Sequence, residues 1–258
     1  MTTEPIIYLG PSLPRLEAQQ LLIGDYRPPI RRGDLTAHGA DRTIVIIDGE
    51  FGQNLPVSPK EILRLLDQGT RVIGASSMGA LRAAELHSCG MEGFGWVFEA
   101  YRSGQIIRDD EVAVMYSPFD FRPLTVALVN IRYSAERLLR RGQLDSSAVR
   151  RILRAAQQIF FADRTSIRLR RELLGIVSAA VLDELTDAAF HGRADVKAAD
   201  ARLALRKVSF EQTQCIDGGF RPCPPKQNLA KNKPRKDLGA KLKHSPLTLS
   251  NQAKDLVS

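Results

Sequence analysis

The apolar positions give the chain two textures. Up to about residue 120, short unbroken apolar runs alternate with stretches in which apolar residues recur every three or four positions. Ile6 to Leu9 is the first run and is closed by Gly10 and Pro11. Thr43 to Ile47 is a β-branched run closed by Asp48 and Gly49, and Arg71 to Gly74 follows. Runs of this kind predict strands buried on both faces, as in a parallel sheet. The intervening periodicity predicts helices over Pro14 to Leu22, from Ser58-Pro59 to the stop at Gly69, and over Met78 to His87. Ser58 fits as the cap, Pro59 as the first helical residue and Glu61 as the capping-box acid, with Ile62, Leu63, Leu65 and Leu66 as the apolar stripe. Tyr26 to Asp34 cannot be helical through Pro28 and Pro29, so it is an ordered loop or a short extended edge. Gly93 to Tyr101 reads as a further helix and Val112 to Met115 as a strand.

Strand and helix in alternation imply right-handed crossovers and a parallel sheet with helices on its faces. The carboxyl ends of the strands then share one edge, where open α/β sheets bind ligands. The turns Gly10-Pro11-Ser12, Asp48-Gly49-Glu50 and Ser76-Ser77 are expected to meet there. From Leu124 onward the pattern is helical, with Leu124, Ala127, Leu128 and Ile131 in phase and amphipathic stretches over Ser146 to Phe161, Ser166 to Leu182 and Val196 to Val208. After Phe210 the apolar period is lost to Gly, Pro, Lys and Asn. The fold class is therefore α/β: an N-terminal parallel-sheet (Rossmann-like) domain over 1–120, a helical region over 121–211 and a disordered basic tail over 212–258.

Charge sharpens this division. The chain of 258 residues carries a formal net charge of +8, but the segment from Lys226 to Ser258 holds eight Lys or Arg against two Asp. Only about two positive charges remain for the rest, which argues against a nucleic-acid-binding face on the folded body. Cys89, Cys215 and Cys223 are odd in number and scattered, which fits a reducing, cytoplasmic setting and offers no zinc spacing. No apolar run approaches the roughly 18 residues of a membrane span.

The stretch R-V-I-G-A-S-S-M-G-A-L-R-A-A-E, Arg71 to Glu85, carries the most chemistry. A strand running through Ser76 and Ser77 into a helix places unpartnered amides and the positive end of a helix dipole beside a hydroxyl. Ser77, followed by Met78 and Gly79, stands in A-x-S-x-G, one glycine short of the nucleophile elbow. It is read as a nucleophile with the Met78 and Gly79 amides facing an oxyanion, or as a plain helix cap. Lys60 is the expected base or electrostatic partner, and Asp48, at the end of a buried strand, is the expected polar functional group. His38 alone among His38, His87, His191 and His244 falls near the sheet edge. Arg82 and Glu85, three apart on one helix, either pair with each other or face a ligand. Gly10, Pro11, Ser12, Gly49, Glu50, Ser76, Met78 and Gly79 complete the expected binding edge. Asp109-Asp110-Glu111 has the donors for a hard divalent cation but is read as a solvated acidic run, so no metal is expected. Neither G-x-G-x-x-G nor a P-loop is present, so no dinucleotide or P-loop cofactor is expected.

These residues sit in blocks that resemble the TfuA-like family: I-I-Y-L-G-P-S-L at Ile6 to Leu13, P-P-I-R-R-G-D at Pro28 to Asp34, I-I-D-G-E-F at Ile46 to Phe51, K-E-I-L at Lys60 to Leu63, G-A-S-S-M-G-A-L-R-A-A-E at Gly74 to Glu85, Gly90-Met91, and D-D-E-V-A-V at Asp109 to Val114. The resemblance spans Ile6 to roughly Arg132. It implies an accessory partner of YcaO-type enzymes in thioamidation of ribosomally made peptides. In that role the protein helps supply sulfur, by one proposal through hydrolysis of a thiocarboxylated small carrier protein. The implied partners are a YcaO-type enzyme, the sulfur carrier and the precursor peptide, with neither nucleic acid nor a membrane. The other reading is a non-catalytic scaffold that docks the enzyme through Arg-rich helices.

Overall fold

A computed structural model describes residues 4–36, 38, 42–52, 55–191 and 195–217. Five three- or four-residue strands form one wholly parallel sheet: β1 (Ile6–Tyr8), β2 (Asp25–Arg27), β3 (Ile44–Ile46), β4 (Val72–Ala75) and β5 (Glu92–Phe94), in the order β2-β1-β3-β4-β5. Ile7 pairs with Tyr26 on one side and Val45 on the other, Val45 with Ile73, and Gly74 with Gly93. The uninterrupted apolar runs follow from burial on both faces. Ile6, Tyr8, Ile44, Ile46 and Val72 enter one core, while Ile7, Leu9, Val45, Ile47, Ile73 and Ala75 enter the other.

The first core is covered by α2 (Pro59–Asp67), α3 (Met78–Leu86) and α4 (Trp96–Arg102). The capping box on α2 forms as its sequence suggests: Glu61 N–H donates to Ser58 Oγ at 3.4 Å and Ser58 N–H to Glu61 Oε2 at 2.9 Å. The second core is covered by α1 (Arg15–Leu21) and by α9 (Val196–Asp217), which lays Ala198, Ala201, Ala204, Leu205 and Val208 on the sheet. Between them α5 (Leu128–Arg140), α6 (Ser146–Gln158), α7 (Ser166–Leu173) and α8 (Ala179–His191) enclose a separate apolar core through Ile131, Leu138, Ile152, Leu169 and Leu185.

Four local expectations need correction. β5 was not anticipated, because Glu92-Gly93-Phe94 has no apolar run; it precedes α4 in the stretch read as helix alone. Val112 to Met115 is not a strand: its backbone is met by side chains, with Met115 N–H donating to Thr125 Oγ1 at 2.8 Å and the Val112 carbonyl accepting from Lys197. The stretch Ser166 to Leu182 breaks into two helices at Gly175, whose φ of 81° lies in the left-handed region. The last helix runs on to Asp217, past the boundary at 212 that the loss of apolar period suggested.

Among the described residues no helix is long and apolar enough to cross a membrane. The chain divides into two units, Met1–Lys226 and Gln227–Ser258; the tail beyond 217, with Cys223 and His244, lies outside the described residues.

Candidate active site

Strand order reverses between β1 and β3: the chain passes from β1 to β2 on one side, and β3, β4 and β5 continue on the other. Connections leaving neighbouring strands in opposite directions open a crevice at their carboxyl ends. There the Asp48 carboxylate, 1% exposed, receives the whole β1 turn. Its Oδ2 accepts from Gly10 N–H at 2.9 Å and Ser12 N–H at 3.1 Å, and its Oδ1 accepts from the Ser12 hydroxyl at 2.6 Å. Ser12 Oγ in turn accepts from Ser76 Oγ at 2.9 Å. Gly10, Ser12, Asp48 and Ser76, from three separate turns, thus form one hydrogen-bonded chain.

The turn from β4 into α3 carries strain. Ser76 has a φ of 69°, a left-handed conformation that costs a residue with a side chain about 1–3 kcal/mol and collects at functional turns. The strained residue is Ser76, the position before the serine of the A-x-S-x-G pattern. Ser77 stands at the N-cap of α3, but its side chain makes no capping bond; it donates a long 3.5 Å bond to the Val112 carbonyl. The Gly79 amide is already engaged by the Ile47 carbonyl at 3.3 Å, so the expected pair of oxyanion donors reduces to the Met78 amide. Gly79 also lies flush on the Ile46 carbonyl and on Gly74, leaving no room for a Cβ, and Met78 packs against Gly49.

Burial decides access. Ser76 is 0% exposed and Ser77 2%, so the Ser77 hydroxyl is sealed beneath the Val112 backbone. Gly10 and Ser12 are the members of the cluster that line the neighbouring cleft of about 380 Å³, together with Pro11, Arg15, Arg27, Arg122, Asp195 and Arg202. This volume suits a small ligand or a chain end. One wall is the hairpin closed by the Tyr116 and Pro123 bridge, and Glu50 holds it: Tyr116 OH donates to Glu50 Oε1 at 2.5 Å, while Arg31 pairs with the same oxygen at 3.1 Å. Burial and the neighbouring carboxylate push the Tyr116 hydroxyl well above the usual tyrosine range, so it remains a donor at neutral pH.

A second polar nest lies against the first. Asp195 heads α9: Ala198 N–H donates to Asp195 Oδ1 at 3.0 Å and Asn130 Nδ2 donates to the same atom at 3.1 Å. Two residues on, Lys197 is 3% exposed and donates from Nζ to the Val112 carbonyl at 2.9 Å. Burial pushes its amine below the usual lysine range, against the pull of Asp48 and Asp195. Burial likewise raises the Asp195 carboxyl. Sequence reading missed Lys197, although a signal exists: it stands in phase with Ala201, Ala204 and Val208, the stripe that α9 buries.

Several expected residues fall elsewhere. Lys60 is exposed on α2, beside a shallow depression with Leu63, Arg64, Asp67 and Gln68, and does not join the serines. Arg82 is turned from the cleft, its Nε donating to the Val57 carbonyl at 2.9 Å and its NH1 pairing with Glu85 at 2.7 Å. His38 meets Tyr8 OH at 3.0 Å and Arg27 at 3.1 Å through Nε2; Arg27 can only donate, so that nitrogen is an acceptor. His87 stacks edge-on to Phe98. Of the acidic triplet, Asp110 pairs with Arg108 at 2.8 Å and Glu111, 1% exposed, pairs with Arg132 at 2.6 Å.

Residues 48–165 match the model of a protein family described as TfuA-like protein. That span takes in Asp48, the Ser76-Ser77 turn and Val112, and leaves out the β1 turn with Ser12 and α9 with Lys197. No curated protein matches the chain.

Proposed function

We propose, from the match of residues 48–165 to the TfuA-like family, that the chain is a cytoplasmic accessory protein of YcaO-dependent thioamidation of ribosomally made peptides. It helps supply sulfur by accepting the acyl end of a small thiocarboxylated carrier protein at the cleft beside Ser12 and hydrolysing it to release sulfide. The observation that carries this reading is the wiring of Ser12, Asp48 and Ser76 at the sheet's switch point, with Ser77 at the start of α3 beside it. A tetrahedral oxyanion there is supported by the Met78 amide and the positive end of α3. Of the arginines of the cleft wall, Arg27, Arg122 and Arg202 pair with Asp25, Asp120 and Glu17, so Arg15, which lies over the Tyr26 ring, is the one that favours an acidic chain end. Access to Ser77 requires the Val112 segment to lift, and the hydroxyl's bond to it is at the long limit of hydrogen-bond geometry.

The test is sulfide release from a thiocarboxylated carrier. Ser77→Ala lowers the rate at least about 100-fold if the serine is the nucleophile. A variant as fast as the parent removes the hydrolytic reading.

The sealed Ser77 hydroxyl favours one second reading, a non-catalytic scaffold that docks the YcaO enzyme through its Arg-bearing helices. Thioamidation in a reconstituted system separates the two. The scaffold requires that Ser77→Ala be harmless while charge reversal at exposed Arg140, Arg141 and Arg151 abolishes the reaction.

A further inference from the structure

Helix α6 carries three arginines and no acidic residue, and the three share one side of it. At about 100° per residue, Arg150, Arg151 and Arg154 fall within an arc of about 100°. That arc faces away from Val149, Ile152 and Ala156, which α6 buries in the core of the helical region. All three arginines are exposed, and among the described residues none of them forms an ion pair. Other arginines of the same region are matched: Arg141 pairs with Glu184 at 2.8 Å, Arg168 with Glu172 at 2.9 Å and Arg170 with Asp183 at 2.6 Å. Asp145, the acid nearest to the stripe in the chain, is taken up in capping α6, its Oδ1 accepting from Ala148 N–H at 2.7 Å. An aromatic residue continues the stripe. Ile159 has extended backbone, so its side chain and the next point to opposite sides. Ile159 enters the helical core, while Phe160 is 63% exposed with its ring braced on Phe161 at a centroid distance of 4.5 Å. Either feature alone is ordinary on a surface. Together they present, over about 15 Å of helix, a run of guanidinium groups without a counter-charge that ends in an ordered aromatic ring.

We propose that this face of α6 docks an acidic polypeptide segment carrying one large apolar residue, its carboxylates bonding to Arg150, Arg151 and Arg154 and its apolar side chain lying on Phe160. The donors select such a partner. A guanidinium presents paired N–H groups that match a carboxylate bidentately, and three of them without a counter-charge repel a basic segment. An extended chain advances about 3.3 Å per residue, so roughly five residues of the partner span the stripe from Arg150 to Phe160. Nucleic acid, the other polyanion, is the poorer match, because α7 and α8 of the same core hold Glu172, Asp183 and Glu184 against a phosphate backbone running on past the stripe. The proposal goes beyond the chemistry of the cleft and stands whichever reading of Ser77 holds.

The experiment uses the full chain and a fluorescein-labelled peptide of glutamate and aspartate with one central phenylalanine, read by anisotropy at low and at physiological salt. The parent binds the peptide, and salt weakens the binding. Arg150→Gln, Arg151→Gln and Arg154→Gln made together weaken it about tenfold or more. Phe160→Ser weakens it about fivefold. The arginine variant keeps the thermal midpoint of the parent, because its replaced side chains lie outside the core. Parent and variants carry the same basic segment from Lys226 to Ser258, so any binding by that segment cancels in the comparison. A parent that does not bind the peptide, or an arginine variant that binds it as tightly as the parent, overturns the docking face. A Phe160→Ser protein that binds like the parent overturns the apolar anchor. A parent that prefers single-stranded DNA to the peptide, and loses that preference in the arginine variant, overturns the proposal in favour of nucleic acid. Sulfide release from the carrier is read separately, so neither result decides the other.

Discussion

At the scale of single residues, the site is held by groups with no spare freedom. Asp48 takes three donors on two oxygens inside the protein, so Asp48→Asn turns an amide toward donors and leaves at least one of them unmet. Loss of about 1–3 kcal/mol in denaturant unfolding is expected. Gly79 is more constrained still. A Cβ there meets the Ile46 carbonyl and crowds Gly74, both backbone atoms of the central strands, so relief requires α3 to move off the sheet. Gly79→Ala is expected to cost about 3 kcal/mol, the upper end of ordinary overpacking, and to lower the thermal midpoint accordingly. Neither constraint was legible in sequence. Asp48 is recognisable as a polar residue at a strand end, but its partners lie far from it in the chain.

At the scale of elements, α9 carries the result least visible beforehand. Its Ala-rich stripe reads as a moderately amphipathic surface helix, yet small side chains are what let it lie close over β4 and β5. It is clamped through Asp200, whose oxygens accept from Trp96 N–H at 2.9 Å and Val97 N–H at 2.8 Å and so cap α4 from outside. Burial, opposed by these two bonds, raises the Asp200 carboxyl to about 6. A folded value above the unfolded value of about 3.9 means that the folded state binds the proton more readily. The resulting contribution to stability is complete below about pH 4 and is lost as pH rises through about 6. The stability of the parent relative to Asp200→Asn is therefore expected to grow by up to ~3 kcal/mol between pH 7 and pH 4, read by denaturant titration at both pH values. A difference that does not change with pH removes Asp200 as a titrating clamp.

At the scale of the whole molecule, charge and fold are separable. Residues Lys226 to Ser258 hold most of the net +8, while among the described residues the last helix ends at Asp217. A chain cut after Asp217 is expected to keep its thermal midpoint and to show no salt-dependent binding of duplex DNA in electrophoretic shift. Affinity retained by the shortened chain would locate a basic face on the folded body.

The sequence by itself determined three of the five strands, the helices that flank them and their layering. Apolar runs at residues 6–9, 43–47 and 71–74 require strands shielded on both faces, and the Ser58-Pro59-Glu61 box starts a helix by contacts within four residues. Local rules suffice where the partners of a backbone group are near in the chain. Tertiary structure alone decided which side chains meet. It brought Lys197 to the Val112 carbonyl, kept Lys60 in solvent, and put the left-handed turn residue at Ser76. The physical reason is that burial and pairing depend on what arrives from distant segments: a lysine in phase with an apolar stripe is ordinary until the sheet beneath the helix leaves its amine without water.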